Sequence, residues 1–154
     1  MASDQEKIEN KLIDWIALES NGRLIVFKPE LGPDLIVQKK GVYDEKKLSF
    51  TIVNASDVEE KKYGMVKSDY MIFANYDEVR QDISEKILLI SPADFEKIVG
   101  VEQVGIDVIT KDFNQDKRFL NYLMDKNSFT LFLIKNLISE SKPGAKAGFK
   151  GKKY

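Results

Sequence analysis

The sequence predicts an α/β domain of α+β character: an N-terminal helix, a central mixed sheet of about five strands that includes an antiparallel β-hairpin, and C-terminal helices packed on that sheet. Three observations predict it. Apolar residues recur at helical spacing from Ile8 to Ile16; short apolar runs rich in β-branched and aromatic residues, bounded by Gly, Pro, Asn and Asp, follow from residue 23 to 91; and helical patterning returns after Ser91. With 154 residues, 43% of them hydrophobic and 32% charged, the chain has the size of one domain with one core.

Ser3 is positioned to cap the first helix, with Glu6 at the reciprocal capping-box position and Ile8, Leu12, Trp15 and Ile16 forming one buried stripe. Asn21 and Gly22 favour a left-handed residue and end it. "RLIVFKP", "DLIVQKK" and "KLSFTIV" read as three strands, joined by the turn "ELGP" and the hairpin loop "GVYDEK". Residues 55–68 read as a loop or a short helix. "DYMIFANY" and "KILLIS" are the fourth and fifth strands, and the acidic stretch "YDEVRQDISEK" between them reads as a solvated connection. Ser91-Pro92-Ala93-Asp94 opens a helix with a cap, a proline in the first turn and an acid at the third position. Beyond residue 100, "GIDVIT" reads as a short strand, "DKRFLNYLM" as a helix, and Asn127 or Ser128 as the cap of a last helix. That helix carries one apolar stripe at Phe129, Phe132, Leu133 and Leu137 and another at Leu131, Ile134 and Ile138, so it is either sandwiched within the fold or, over residues 128–140, the contact of a homodimer.

The chain has no cysteine and no histidine. Cys/His zinc sites, thiol nucleophiles, imidazole bases and iron–sulfur clusters are thereby excluded, and carboxylates, lysines, hydroxyls and backbone amides remain. No cofactor is expected unless a carboxylate site holds Mg²⁺ or Mn²⁺. No apolar run approaches the roughly 20 residues needed to span a bilayer, and "MASDQEKIEN" is too polar for a signal peptide, so the expectation is a cytoplasmic protein without a membrane partner.

The net charge of −1 hides an asymmetry. Lys142, Lys146, Lys150, Lys152 and Lys153 are five of the 24 basic residues, which leaves 19 against 25 acids, or −6, in residues 1–141. Residues 142–154 are therefore expected to form a disordered basic tail of the kind attracted to polyanions such as DNA or RNA, or simply a solvated extension. An acidic body makes a broad basic groove unexpected, so any nucleic-acid contact is local.

"GPDLIVQKKGVYDEKKLSFTIVNAS" contains Pro33-Asp34 followed by Glu45-Lys46-Lys47, the letters of a PD…ExK motif. From about residue 6 to 91 the chain resembles the PD-(D/E)XK nuclease superfamily, in which a helix precedes a three-stranded antiparallel unit. The resemblance implies that Asp34 is the metal-binding Asp at the start of the second strand, with an acid and a lysine two apart on the third. Register tests the spelling. Leu35 and Val37 on one strand and Leu48, Phe50 and Ile52 on the other mark the core sides, which places Asp34 with Thr51 and Val53 on the opposite face. With the loop centred between Tyr43 and Asp44, Asp34 lies beside Val53; slips of two put Thr51 or Ala55 there instead. Glu45 then lies eight residues along from Asp34, roughly 26 Å away at the rise of a strand, too far for two ligands of one ion. The family's acid and lysine positions thus read Thr51 and Val53. Glu9 on the first helix is the candidate second carboxylate, and Lys61, Lys62 or Lys67 a migrated lysine, while Asp34 has an equally simple reading as a turn residue after Gly-Pro. Three functions follow: a non-catalytic nuclease-like protein that binds nucleic acid or a partner protein, an active Mg²⁺-dependent nuclease with a site rearranged around Asp34, or an assembly protein that dimerises through its last helix.

Overall fold

The computed structural model describes residues 3–41, 46–54, 68–99 and 117–138. Its first helix, α1 (Asp4–Glu19), starts as the sequence reads: Ser3 Oγ accepts the Glu6 N–H and Glu6 Oε1 accepts the Ser3 N–H, each at 3.1 Å. It ends where Asn21 (φ 56°) and Gly22 (φ 77°) turn left-handed and the Gly22 N–H returns to Ala17 O.

Among the described residues six strands form one mixed sheet in the order β1 (Leu24–Phe27), β2 (Leu35–Lys39), β3 (Lys47–Asn54), β4 (Tyr70–Ala74), β7 (Lys86–Ile90) and β8 (Leu123–Asp125). β3 and β4 are parallel; every other neighbouring pair is antiparallel. Helix α1 followed by β1, β2 and β3 as an antiparallel meander is the expected order of the first half. The β2–β3 register pairs Leu35 with Phe50 and Val37 with Leu48, which is the expected parity in the slip that sets residue 34 level with Thr51, not Val53.

Alternation then divides the core. Leu35, Val37, Phe50, Ile52 and Ile72 face α1 and α3 (Lys126–Leu137), whereas Val53, Met71, Phe73, Leu88 and Ile90 face α2 (Pro92–Val99) and a 3-10 turn at Lys117–Tyr122. Ser91 caps α2 as expected, its Oγ accepting the Asp94 N–H at 3.1 Å. On this side Phe73, Phe95 and Phe119 stack in series with centroids 5.6 and 6.0 Å apart. On the other, Phe129 and Phe132 of α3 meet Phe50 and Tyr70 edge-on at 6.0 and 5.2 Å.

Three expectations are corrected. In "DKRFLNYLM", Lys117–Tyr122 is the 3-10 turn and Leu123 and Met124 begin strand β8, because they pair with Leu88 and Ile87 at the sheet edge. The cap of α3 is Asp125, whose Oδ1 accepts the Ser128 N–H at 2.8 Å; Asn127 and Ser128 already lie in the first turn. The stretch after β4 is a small hairpin, β5 (Tyr76–Asp77) with β6 (Asp82–Ile83), whose turn is held by Asp77 Oδ1 accepting from Val79 and Arg80 N–H. The expected "GIDVIT" strand and nearly all of the segment 55–68 lie outside the described residues. In α3, Phe129, Leu133 and Leu137 are buried and Phe132, Ile134 and Ile138 pack partly against the core, which leaves Leu131 exposed.

Candidate functional site

Asp34 stands one residue before β2. Its N–H donates to Phe50 O at 2.9 Å, yet Phe50 is already the register partner of Leu35. Two residues of one strand thus oppose one of the other, the arrangement of a β-bulge, which re-aims a side chain. Simple alternation places Asp34 on the face of Thr51; the bulge instead brings its carboxylate in line with the start of β2, between β3 and α1. There Oδ2 accepts the Ile52 N–H at 2.8 Å and the Gln5 amide at 3.4 Å.

The Ile52 bond follows from chain geometry. Along β3, residues 48, 50 and 52 are the series that faces β2, and β2 is spent before it reaches Ile52. The Asp34 carboxylate takes the place of the missing carbonyl. An unpaired N–H at this depth, beside a side chain 1% exposed, would be costly.

Glu9 is brought to the same place. It is buried on α1, its Oε2 accepts from the Gln5 amide at 3.1 Å, and its Oε1 pairs with Lys28 Nζ at 3.4 Å. The two candidate carboxylates therefore share one amide group. Gln5 and Lys28 complete the cluster and were not singled out from sequence; the signal for Gln5 was its i,i+4 spacing to Glu9 on one helix face, while Lys28 reaches Glu9 only through the tertiary fold.

Asp34 Oδ2 and Glu9 Oε2 converge on the one Gln5 amide nitrogen, and Glu9 Oε1 is taken by Lys28. Two carboxylates already engaged by N–H donors, one of them cationic, with no third acid gathered beside them among the described residues, are a poor match to the many oxygen ligands that a divalent cation takes. Thr51 and Val53, to which the resemblance assigns the acid and the lysine, are engaged elsewhere. Val53 is 1% exposed and packs with Met71 and Phe73. Thr51 Oγ1 lies 2.8 Å from Ser68 Oγ; because the Ser68 hydroxyl donates to Tyr70 O, Thr51 is the donor. One residue row away, Asp69 Oδ2 accepts from Ser49 N–H at 2.9 Å while Ser49 Oγ accepts the Asp69 N–H. These bonds lace β3 to the start of its parallel neighbour.

No family model, curated protein or solved structure matches the chain.

The other acidic residues make local structure: Glu78 pairs with Lys7, and Asp82 with Lys126. Among the described residues no group of three or more acidic side chains is gathered to hold a metal ion, and no helix is long and apolar enough to cross a membrane. Glu45, Ala55, the lysines 61, 62 and 67, and the tail lysines all lie outside the described residues.

Proposed function

We propose that this chain is a non-catalytic, nuclease-like binding protein that engages nucleic acid locally, through Lys142, Lys146, Lys150, Lys152 and Lys153. The observation that carries the non-catalytic reading is the state of Asp34: its carboxylate closes the β2–β3 ladder at Ile52 and joins Glu9 through Gln5. A side chain in that role is a structural acceptor. Thr51 and Val53 support the same reading, since neither can ligate a cation as an acid does or activate water as a lysine does. The element order α1, β1, β2, β3 supports the likeness to the nuclease fold, which by itself assigns no activity.

Binding falls to the lysines because the body is acidic. Fluorescence anisotropy with labelled single- and double-stranded oligonucleotides, run across a salt series, tests it. The expected slope of log K against log [salt] is up to about −4 for five lysines on a duplex, and deleting residues 142–154 should flatten it. Binding unchanged by the deletion would reject the tail as the contact, and Mg²⁺-dependent cleavage lost in Asp34→Ala would reject the non-catalytic reading.

A further inference from the structure

Strands β1, β2 and β3 have two sides. Leu24, Val26, Leu35 and Val37 turn to the α1 side, and alternation turns Ile25 and Phe27 of β1 and Ile36 and Gln38 of β2 the other way. Ile25, Phe27 and Ile36 belong to neither buried cluster, and Phe27 is 39% exposed. The register sets this second side in rows: Phe27 with Ile36 and Ser49, Ile25 with Gln38 and Lys47, and Arg23 with Lys40, whose N–H donates to Arg23 O.

Two independent features of this face point to a ligand. Gln38 is 6% exposed, yet its side-chain amide has no partner among the described residues, whereas the side chains of Glu9, Ser20, Ser68 and Thr130, buried to a similar degree, are each hydrogen-bonded. A buried amide left unpaired is costly and calls for an explanation. The second feature is charge. Residues 1–141 hold 19 basic against 25 acidic side chains, but the three strands and their flanks, residues 23–28, 35–40 and 46–54, hold Arg23, Lys28, Lys39, Lys40, Lys46 and Lys47 and no acid. Arg23, Lys40 and Lys47 fall on the face of Gln38, and all three are exposed. Arg23 Nε donates to Ser20 O at 3.0 Å, which orients the guanidinium, and neither Lys40 nor Lys47 is ion-paired among the described residues. Asp69 borders this face with its carboxylate taken up by Ser49 N–H and Oγ; Asp44 and Glu45 of the β2–β3 loop lie outside the described residues.

We infer that this face holds a single strand of nucleic acid, with a base on the Phe27 ring, a base edge on the Gln38 amide, and phosphates on Arg23, Lys40 and Lys47. The inference deepens the proposed function and rests on it for the class of partner, but it uses a surface other than the tail. Charge alone would suit any polyanion; Phe27 and Gln38 narrow the choice. An accessible aromatic ring on a sheet takes an unpaired base, which a duplex keeps within its own stack. A side-chain amide offers a donor and an acceptor together, as base edges do, whereas a phosphate group only accepts. The spacing is compatible. Gln38 is a diagonal neighbour of Phe27, roughly 7–8 Å away, within reach of the same nucleotide. The Arg23–Lys40 row lies four residues along from Phe27, roughly 13 Å at the rise of a strand, where the backbone of a following nucleotide would run.

Fluorescence anisotropy on the full chain, with a labelled single strand and the same sequence as a duplex, tests the inference. A full-length variant with Lys142, Lys146, Lys150, Lys152 and Lys153 all changed to Gln separates the face from the tail, and it should still prefer the single strand. In that background Phe27→Ala should weaken binding about five- to hundredfold, the range of one aromatic–base stack. Lys40→Ala and Lys47→Ala should each lower the salt slope by about 0.7. Gln38→Met removes the amide at similar volume; it should weaken binding about two- to tenfold and leave the denaturation midpoint unchanged or raised, which a merely structural amide would not do. A tail-substituted chain that binds no oligonucleotide, or binding indifferent to both Phe27→Ala and Gln38→Met, overturns the face and leaves the tail reading standing. Affinity kept in the tail-substituted chain but lost with Phe27→Ala rejects the tail and supports the face. A duplex bound as tightly as the single strand also overturns the inference, as does Phe27-dependent co-sedimentation with phosphatidylserine vesicles in a chain that binds no oligonucleotide.

Discussion

Asp34 Oδ2 accepts the backbone N–H of Ile52 at 2.8 Å, one rung beyond Leu35, the first residue of β2. The bond separates two roles that a carboxylate at this position can have, and the two respond differently to substitution. Asp34→Asn keeps an oxygen for Ile52 and should change stability little. Asp34→Ala leaves that N–H unpaired beside a buried strand and should cost about 1–3 kcal/mol, read as a lower denaturation midpoint at unchanged m-value. Equal losses in the two variants would show that the charge, and not the acceptor, is what the position requires.

The same network sets an expectation for cations. Calorimetric titration of Mn²⁺ or Mg²⁺ into wild-type protein and into Asp34→Ala should give no saturable heat in either, because Gln5 and Lys28 hold Glu9 and Gln5 and Ile52 hold Asp34 Oδ2. Saturable binding that disappears in Asp34→Ala would place an ion at this carboxylate and reopen the catalytic reading.

Asp125 caps α3, and its carboxyl is held below the ordinary aspartate range by the backbone N–H of Ser128 and then by that residue's side chain. The folded-state pKa lies below the unfolded one. The cap's ionic contribution is therefore complete above the unfolded value and is lost as pH falls through the folded value. Asp125→Asn retains a capping oxygen without the charge. The stability gap between wild type and this variant should thus be widest near neutral pH and close on acidification, in urea melts at a series of pH values. A gap independent of pH would show that the cap works through its hydrogen bond alone.

The parity of β2 and β3 was legible because Leu35, Val37, Phe50 and Ile52 alternate with residues that cannot share their face, and burying one face fixes the register to within steps of two. The side-chain direction of Asp34 was not legible. It depends on one extra residue opposite Phe50, and a bulge leaves no mark in the apolar pattern. The cap of α3 was missed for a related reason: Asp125, Asn127 and Ser128 all have capping side chains, and the choice among them is made by β8, whose last residue is Asp125. β8 itself is three residues long and follows a 3-10 turn directly, so "RFLNYLM" carries the same apolar spacing as a short helix. Glu9 was found as a candidate from its place on α1, but its partner Lys28 comes from the far end of β1, and only the packing of α1 on the sheet brings them together.

Trp15, the single tryptophan, is 8% exposed and lies under Lys126, whose Nζ is 4.4 Å from the ring centroid. Lys126 also reaches Asp82 of the β5–β6 hairpin at 3.8 Å, while on the opposite strand of that hairpin and its turn Lys7 lies 5.2 Å from the Tyr76 ring and meets Glu78. The hairpin is therefore joined to α3 and to α1 by one lysine each. The Lys126–Asp82 pair is exposed and long, so it contributes little; the cation over a buried indole contributes more, about 0.5–1 kcal/mol. Lys126→Met should lower stability by about that amount and shift or intensify tryptophan emission, since the charge beside the indole is gone. Asp82→Asn should leave the emission unchanged and stability nearly so. An emission change in Asp82→Asn equal to that in Lys126→Met would show that the carboxylate, and not the packing of α3, holds the ammonium over the ring.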